Sequence, residues 1–172
     1  MNESAIDIIF KRKSIRKYMD KPVNEDIIRR ILHAGMQAPS AQNTQPWEFV
    51  VTTDKATKQR VSAMSPFSGM ARDAAALIVV LLNQTRILPR HTKWSQDLSA
   101  CTQNILLQIT AEGLGGCWLG VYPDEDRCQL LRDLFQLPAH CIPFSAVVLG
   151  YPEQDYQNEN RFDPDRIHYD RY

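Results

Sequence analysis

A basic segment near the start of the chain has the residue types of an anion site. Arg12, Lys13, Ser14 and Arg16 place three cations and a hydroxyl group within five positions. This set suits a phosphate plus a second polar group on one ligand, because such cations donate charge-assisted hydrogen bonds to anionic oxygens. The solvated end of a helix would have the same composition. Arg161, in an acidic and amide-rich tail, could return to the same anion.

Residues 38–47, Ala-Pro-Ser-Ala-Gln-Asn-Thr-Gln-Pro-Trp, form a second candidate. The two prolines exclude a helix interior. The amide and hydroxyl side chains offer donors and acceptors suited to a heterocycle with alternating N–H and C=O groups. A capped loop between a helix and a strand would use the same residues, since Ser and Asn often satisfy nearby backbone groups. Both interpretations stay open, and we expect Trp47 to pack in the core.

The third candidate is a glycine-rich segment, residues 113–120, whose backbone could approach a flat ligand closely. It lacks both the Gly-x-Gly-x-x-Gly dinucleotide fingerprint and the Gly-Lys-Ser/Thr end of a P-loop, which argues against a Rossmann site and against nucleotide hydrolysis. Cys117 has no recognisable histidine partner, so we expect a buried, inert thiol.

The rest of the sequence offers no catalytic set of its own. The four histidines form no ligand-like pair, the four cysteines form no Cys-x-x-Cys motif, and no Ser-His-Asp order stands out. We therefore predict no metal site and no catalytic side chain. If the protein is an enzyme, a cofactor supplies the chemistry.

Composition indicates a globular protein of one domain, residues 1–172, with 44% apolar and 23% charged residues. A net charge of zero provides no field for gathering polyanions, which argues against nucleic acid as a partner. The longest apolar run, residues 74–82, is too short for a membrane helix of about 20 residues. Acidic residues precede any basic one at the N-terminus, unlike a secretory signal, so we expect a cytoplasmic protein without a membrane partner.

The elements that must position these residues follow from hydrophobic spacing and capping signals. The unbroken apolar run 74–82 predicts a strand buried on both faces at the centre of a sheet, with a helical start possible in its three alanines. Gly115 and Gly116 are expected to open a loop, and the tail after residue 153 is expected to dock. The predicted helices span 5–10, 24–36, 55–64, 97–112 and 124–135, and the other predicted strands span 47–53 and 143–149.

Together these segments resemble the FMN-dependent nitroreductase family. The resemblance rests on the basic segment 12–16, the loop 38–47 and the glycine-rich segment 113–120, in that order along the chain. Gln96-Asp97 with Asn104, and Arg161-Phe162-Asp163 with residues 166–169, agree with it. Lys13 is a departure, since the family more often has Arg there.

The resemblance implies an α+β nitroreductase-like fold, in which helices surround a central, mostly antiparallel sheet. It also implies an intertwined homodimer with one FMN in each of two interface sites and a tail that crosses to the partner. The basic segment and Arg161 would hold the phosphate and the pyrimidine edge of the flavin. The loop would come from the other subunit, and the glycine-rich segment would place backbone groups near N5. The implied cofactor-binding residues are Arg12, Lys13, Ser14, Arg16, Pro39, Ser40, Ala41, Asn43, Gly116, Cys117, Trp118, Leu119 and Arg161.

The chemistry implied is a ping-pong transfer of a hydride equivalent from NADH or NADPH, through FMN, to a nitroaromatic, a quinone or another small electrophilic acceptor. Two alternatives stay open. One is a non-catalytic flavin-binding or redox-sensing module, and the other is a relative with narrower chemistry, such as reductive dehalogenation or flavin fragmentation. Residues 86–94 have no assignable motif and are expected to cover the substrate channel.

Overall fold

The computed structural model describes residues 5–89, 92–153 and 160–172. Along these ranges two helices are followed by four strands that alternate with three further helices, and some of the connections contain a short 3-10 turn. No helix among the described residues is both long and apolar enough to cross a membrane. The helices are α1 Ala5–Lys11, α2 Glu25–Met36, α3 Lys55–Ser62, α4 Trp94–Ala111 and α5 Glu125–Phe135, and the strands are β1 Trp47–Thr52, β2 Ala76–Asn83, β3 Gly115–Gly120 and β4 Cys141–Gly150.

The four strands form one sheet in the order β1-β2-β4-β3, and each neighbouring pair is antiparallel. All eight residues of β2 are buried. The prediction of a central strand from the apolar run 74–82 is therefore confirmed, because a strand with neighbours on both edges and helices on both faces needs apolar side chains throughout. β1 and β3 are the two edge strands.

Each face of the sheet has its own apolar core. Because successive side chains of a strand point to opposite faces, each strand contributes residues to both cores. Helices α2 and α4 cover one face, where Ile31 and Ile105 are fully buried among the strand residues. On the other face Val61 of α3 and Leu131 of α5 are fully buried, together with the nearly buried Ile15 and Tyr18. Ile15 and Tyr18, which lie within or just after the basic segment, are thus part of the second core, whereas the two residues between them are exposed.

Three local predictions were wrong. Gly115 and Gly116 do not open a loop but lie in β3, where they pair with Gly150 and Leu149 of the ten-residue strand β4. No helical turn starts in the alanines, because Ala76 already pairs with Leu149 and its two predecessors lie outside any helix. Helix α4 begins at Trp94, three residues before the predicted start.

Helices α2 and α4 pack closely and are tied at one end by an ion pair. A Cβ atom on Gly35 would lie 2.8 Å from Cγ1 of Ile105, so glycine permits this approach. Nε and Nη2 of Arg30 each donate to a Glu112 carboxylate oxygen at 2.8 Å. This bidentate contact lowers the pKa of Glu112 from its ordinary value of 4.5, with a smaller contribution in the same direction from a hydrogen bond of Gln108.

The Arg30→Gln substitution should reduce the amount by which the free energy of unfolding falls as the pH becomes acidic. Since the folded-state pKa of Glu112 is depressed, the ion pair stabilises the fold above the ordinary pKa and loses that effect as pH falls through the folded pKa. We expect the difference in unfolding free energy between wild type and variant to be largest near about pH 7 and to shrink toward about pH 3. Urea denaturation over this range measures it.

Arg29→Gln is the matched control, because Arg29 forms an exposed i,i+4 pair with Glu25 on the same helix. Such surface pairs contribute little to stability. Parallel pH profiles for wild type and the Arg30 variant would contradict the prediction.

Candidate functional site

The basic segment runs along the outer edge of β3. After α1 ends at Lys11, Ser14 forms a parallel bridge with Gly116, and the N–H of Ile15 donates to the Gly116 carbonyl at 3.0 Å. The Tyr18 hydroxyl then donates to the Ile15 carbonyl at 2.6 Å. The two cations on either side of Ser14 and Ile15 therefore flank a backbone segment that is hydrogen-bonded to the sheet.

Gly115 permits this close approach. A Cβ atom there would lie 2.5 to 2.7 Å from Cγ1, Cβ and Cγ2 of Ile15, far inside any normal contact. Ile15 stands between Ser14 and Arg16, so the glycine sets the distance between the basic segment and the strand.

Cys117 lies directly beside the basic segment. Its side chain is 4% exposed, and this burial raises the pKa of the thiol. The charge of Arg16, a hydrogen bond with Ser14 and the charge of Arg12 act in the opposite direction. The thiol is buried, as predicted, and its surroundings place three residues of the basic segment next to β3.

The side chains of the two following residues face the cores. Trp118 packs edge-on against Phe144, with ring centroids 6.1 Å apart, and Leu119 is 5% exposed. Because β3 is an edge strand, it is the backbone of residues 117–119, rather than their side chains, that faces outward from the sheet.

A cavity of about 300 Å³ brings the start of the chain together with its tail. Three of its lining residues are the cations Arg12, Lys13 and Arg161, and three others are apolar. Three cations around one cavity suit a phosphate monoester, which has a charge of roughly −1.5 to −2 at neutral pH. The remaining lining residues are Ile9, Phe10, Asn160 and Phe162.

Sequence reasoning missed these four lining residues. Ile9 and Phe10 immediately precede the cations, and Asn160 and Phe162 flank Arg161. Phe10 and Phe162 are each 70% exposed. The sequence feature that could have identified part of this lining is the presence of large apolar side chains next to the cations.

The loop 38–47 adopts an unusual backbone. Gln42, Asn43 and Gln45 have φ values of 56°, 54° and 46°, in the left-handed region that non-glycine residues seldom occupy. Within the loop, the Gln45 N–H donates to Ser40 Oγ at 3.0 Å and Gln45 Nε2 donates to Asn43 Oδ1 at 3.1 Å. Ser40 and Asn43 thus bond locally, as the capped-loop interpretation predicts.

The loop is fixed on the α4 side of the sheet. The Ala41 N–H donates to Oδ1 of Asp97 in α4 at 2.9 Å. Trp47 is 7% exposed in the core of this face, which confirms its predicted packing. Pro39 and Asn43 are exposed at the surface.

The segment 86–94 is only partly described, since Arg90 and His91 lie outside the described residues. Arg86 lies 4.0 Å from Glu48, and the Trp94 ring packs edge-on against Tyr122 at a centroid distance of 4.8 Å. Its predicted role over a substrate channel stays a prediction.

Comparison with known proteins gives the class to which this fold and site belong. Residues 9–65 and 64–151 match the family model described as the Nitroreductase family. The chain is 41% identical over 173 residues to an Archaeoglobus fulgidus protein provisionally named NADH dehydrogenase/NAD(P)H nitroreductase, covering 99% of each.

Two solved structures share the fold. A Bacteroides thetaiotaomicron crystal structure with the same provisional name has a TM-score of 0.93 and 38% identity, covering 100% of each chain. A provisionally named nitroreductase in complex with FMN, from Desulfovibrio desulfuricans, has a TM-score of 0.83 and 28% identity, covering 100% of this chain and 99% of that one.

The architecture is the nitroreductase fold, and the predicted α+β class with a mostly antiparallel sheet is confirmed. The chain belongs to the nitroreductase family.

Proposed function

We propose that this protein is an FMN-dependent NAD(P)H oxidoreductase of the nitroreductase type, built as a single domain over residues 1–172. The grouping of Arg12, Lys13 and Arg161 around one cavity is the observation that supports this most directly. These residues would hold the flavin phosphate. The relatives agree: one has a provisional name that includes NAD(P)H, and another was solved in complex with FMN.

The remaining residues would orient the ring. Ser14 and Arg16 flank the backbone that bridges to Gly116, so a hydroxyl and a guanidinium would meet the polar pyrimidine edge. A cation there would stabilise negative charge that develops on the ring. The outward backbone of residues 117–119, with Gly116 beside it, would lie at the N5 edge. When bound, the flavin supplies the hydride chemistry between NAD(P)H and a nitroaromatic, a quinone or another small electrophile.

A second subunit would complete the site. We propose a cytoplasmic homodimer in which Pro39, Ser40, Ala41 and Asn43 of one subunit contact the flavin held by the other. Within one chain the loop is fixed on the α4 side of the sheet, whereas the basic segment follows the β3 edge. The exposed rings of Phe10 and Phe162 at the cavity give this region an apolar surface suited to an interface.

The proposal predicts that the purified protein binds about one FMN per subunit and that NADH or NADPH bleaches it anaerobically. A nitroaromatic or a quinone should then restore the oxidised absorbance in a separate mixing step. Absorbance spectroscopy under argon measures these three results, and gel filtration tests the proposed dimer.

A colourless protein that takes up no added FMN would overturn the proposal. Bleaching by dithionite but by neither nicotinamide would favour the non-catalytic flavin-binding module instead.

A further inference from the structure

Helix α4 presents two polar side chains to the last turn of α2 and to the loop that follows it. Nδ2 of Asn104 donates to the Ala34 carbonyl at 3.1 Å, near the end of α2. Oδ1 of Asp97 accepts from the Ala41 N–H at 2.9 Å, inside the loop 38–47. The two side chains are seven residues apart, which is about two helical turns, so they lie on the same face of α4. Together they hold both ends of the segment 34–41.

The backbone conformation immediately after these contacts is unfavourable on its own. Gln42 and Asn43 have positive φ values and exposed side chains, so burial in the core does not hold them. A backbone of this kind persists only when surrounding contacts determine it, and such strain concentrates at ligand-binding sites. The bond from Ala41 to Asp97 immediately precedes the strained residues.

Asp97 is well placed to supply such a contact. Its side chain is 5% exposed, and a buried carboxylate requires hydrogen-bond donors. A charged acceptor binds a backbone N–H more strongly than a neutral one does. Close packing of α4 against Gly35 of α2, which places Ile105 at the helix interface, keeps the carboxylate at a fixed distance from the loop.

We propose that Asp97, supported by Asn104, is a positioning residue that holds the loop 38–47 in its flavin-binding conformation. It acts through Ala41 and touches neither cofactor nor substrate. The inference rests on the proposed function, in which this loop contacts the isoalloxazine ring in the partner's site.

The first test needs no flavin. In hydrogen-exchange mass spectrometry of the apoprotein, Asp97→Ala should speed exchange of the amides in residues 38–47 by about tenfold, while the amides of β2 keep wild-type protection. The control is Asp133→Asn, since Asp133 accepts a hydrogen bond from Gln129 on the exposed surface of α5. Wild-type exchange in the Asp97→Ala loop would overturn the proposal.

The second test compares FMN with riboflavin, which lacks the phosphate. A misplaced loop affects only the contacts with the flavin ring. Asp97→Ala should therefore reduce the affinity for both flavins by the same factor, roughly tenfold. Asp97→Asn keeps an oxygen acceptor and should show a smaller loss, and this variant decides the matter if the alanine variant does not fold. A loss confined to FMN, or wild-type affinity for both flavins in a folded variant, would overturn the inference while leaving the proposed function intact. Failure of the wild-type protein to bind FMN would overturn both.

Discussion

Replacing Arg12 by alanine is expected to weaken FMN binding about 10- to 100-fold and to leave riboflavin binding unchanged. A hydrogen bond to a charged group contributes roughly 1.5–3 kcal/mol, and about 1.4 kcal/mol corresponds to a factor of ten in affinity. Arg12 lines the cavity that also contains Lys13 and Arg161, so its loss should affect the phosphate alone. Titration of the apoprotein by flavin fluorescence measures both dissociation constants.

Arg29→Ala is the matched control for charge, because Arg29 is exposed on α2 and pairs with Glu25 at 2.7 Å. It should bind both flavins as wild type does. Arg161→Ala should repeat the FMN-specific loss, and the double variant should lose less than the product of the two factors, since both cations act on one phosphate. Equal losses for FMN and riboflavin would contradict the phosphate assignment of Arg12.

Gly115→Ala is expected to destabilise the protein by about 1–3 kcal/mol and to weaken FMN binding as well. The new Cβ would lie within 2.5 to 2.7 Å of three Ile15 atoms, one of them its Cβ, so rotation of the side chain cannot relieve the clash. Ile15 must move, and Ser14 and Arg16 move with it. Urea denaturation and flavin titration measure the two effects.

Gly120→Ala provides the control, because it lies in the same strand and a Cβ there would meet nothing within 4 Å. Its effect on stability should stay within about 0.5 kcal/mol. Ile15→Gly in the Gly115→Ala background removes all three clashing Ile15 atoms and should recover part of the lost FMN affinity, since the two positions are coupled by direct contact. A Gly115→Ala variant that matches the Gly120→Ala variant in both measurements would refute the role given to Gly115.

Elements whose signal is local could be predicted from the sequence. Asn24 caps α2 by accepting from the Asp26 N–H, and Asp124 caps α5 in the same way from Arg127. The apolar run of β2 predicted burial on both faces, whichever strands were to pair with it. Boundaries were missed where pairing overrides propensity: two glycines enter β3 because β4 is long enough to bond with them.

For the candidate site, the sequence indicated the types of residue but not their arrangement in space. The cations of residues 12–16 and the amides of residues 38–47 indicated their chemistry directly, and the order of the segments indicated the family. Arg161 and Arg12 line the same cavity although almost 150 residues separate them in the chain. No local sequence pattern predicts a contact over that separation.

The sequence by itself indicated the central strand through its local spacing and the family through the order of its motifs, and the α+β class was implied by that family resemblance. Only the tertiary structure decided that Ile15 rests on Gly115 and that Asp97 holds Ala41. Both contacts join segments distant in the chain, and each depends on positions that are set only when the two cores pack against the sheet.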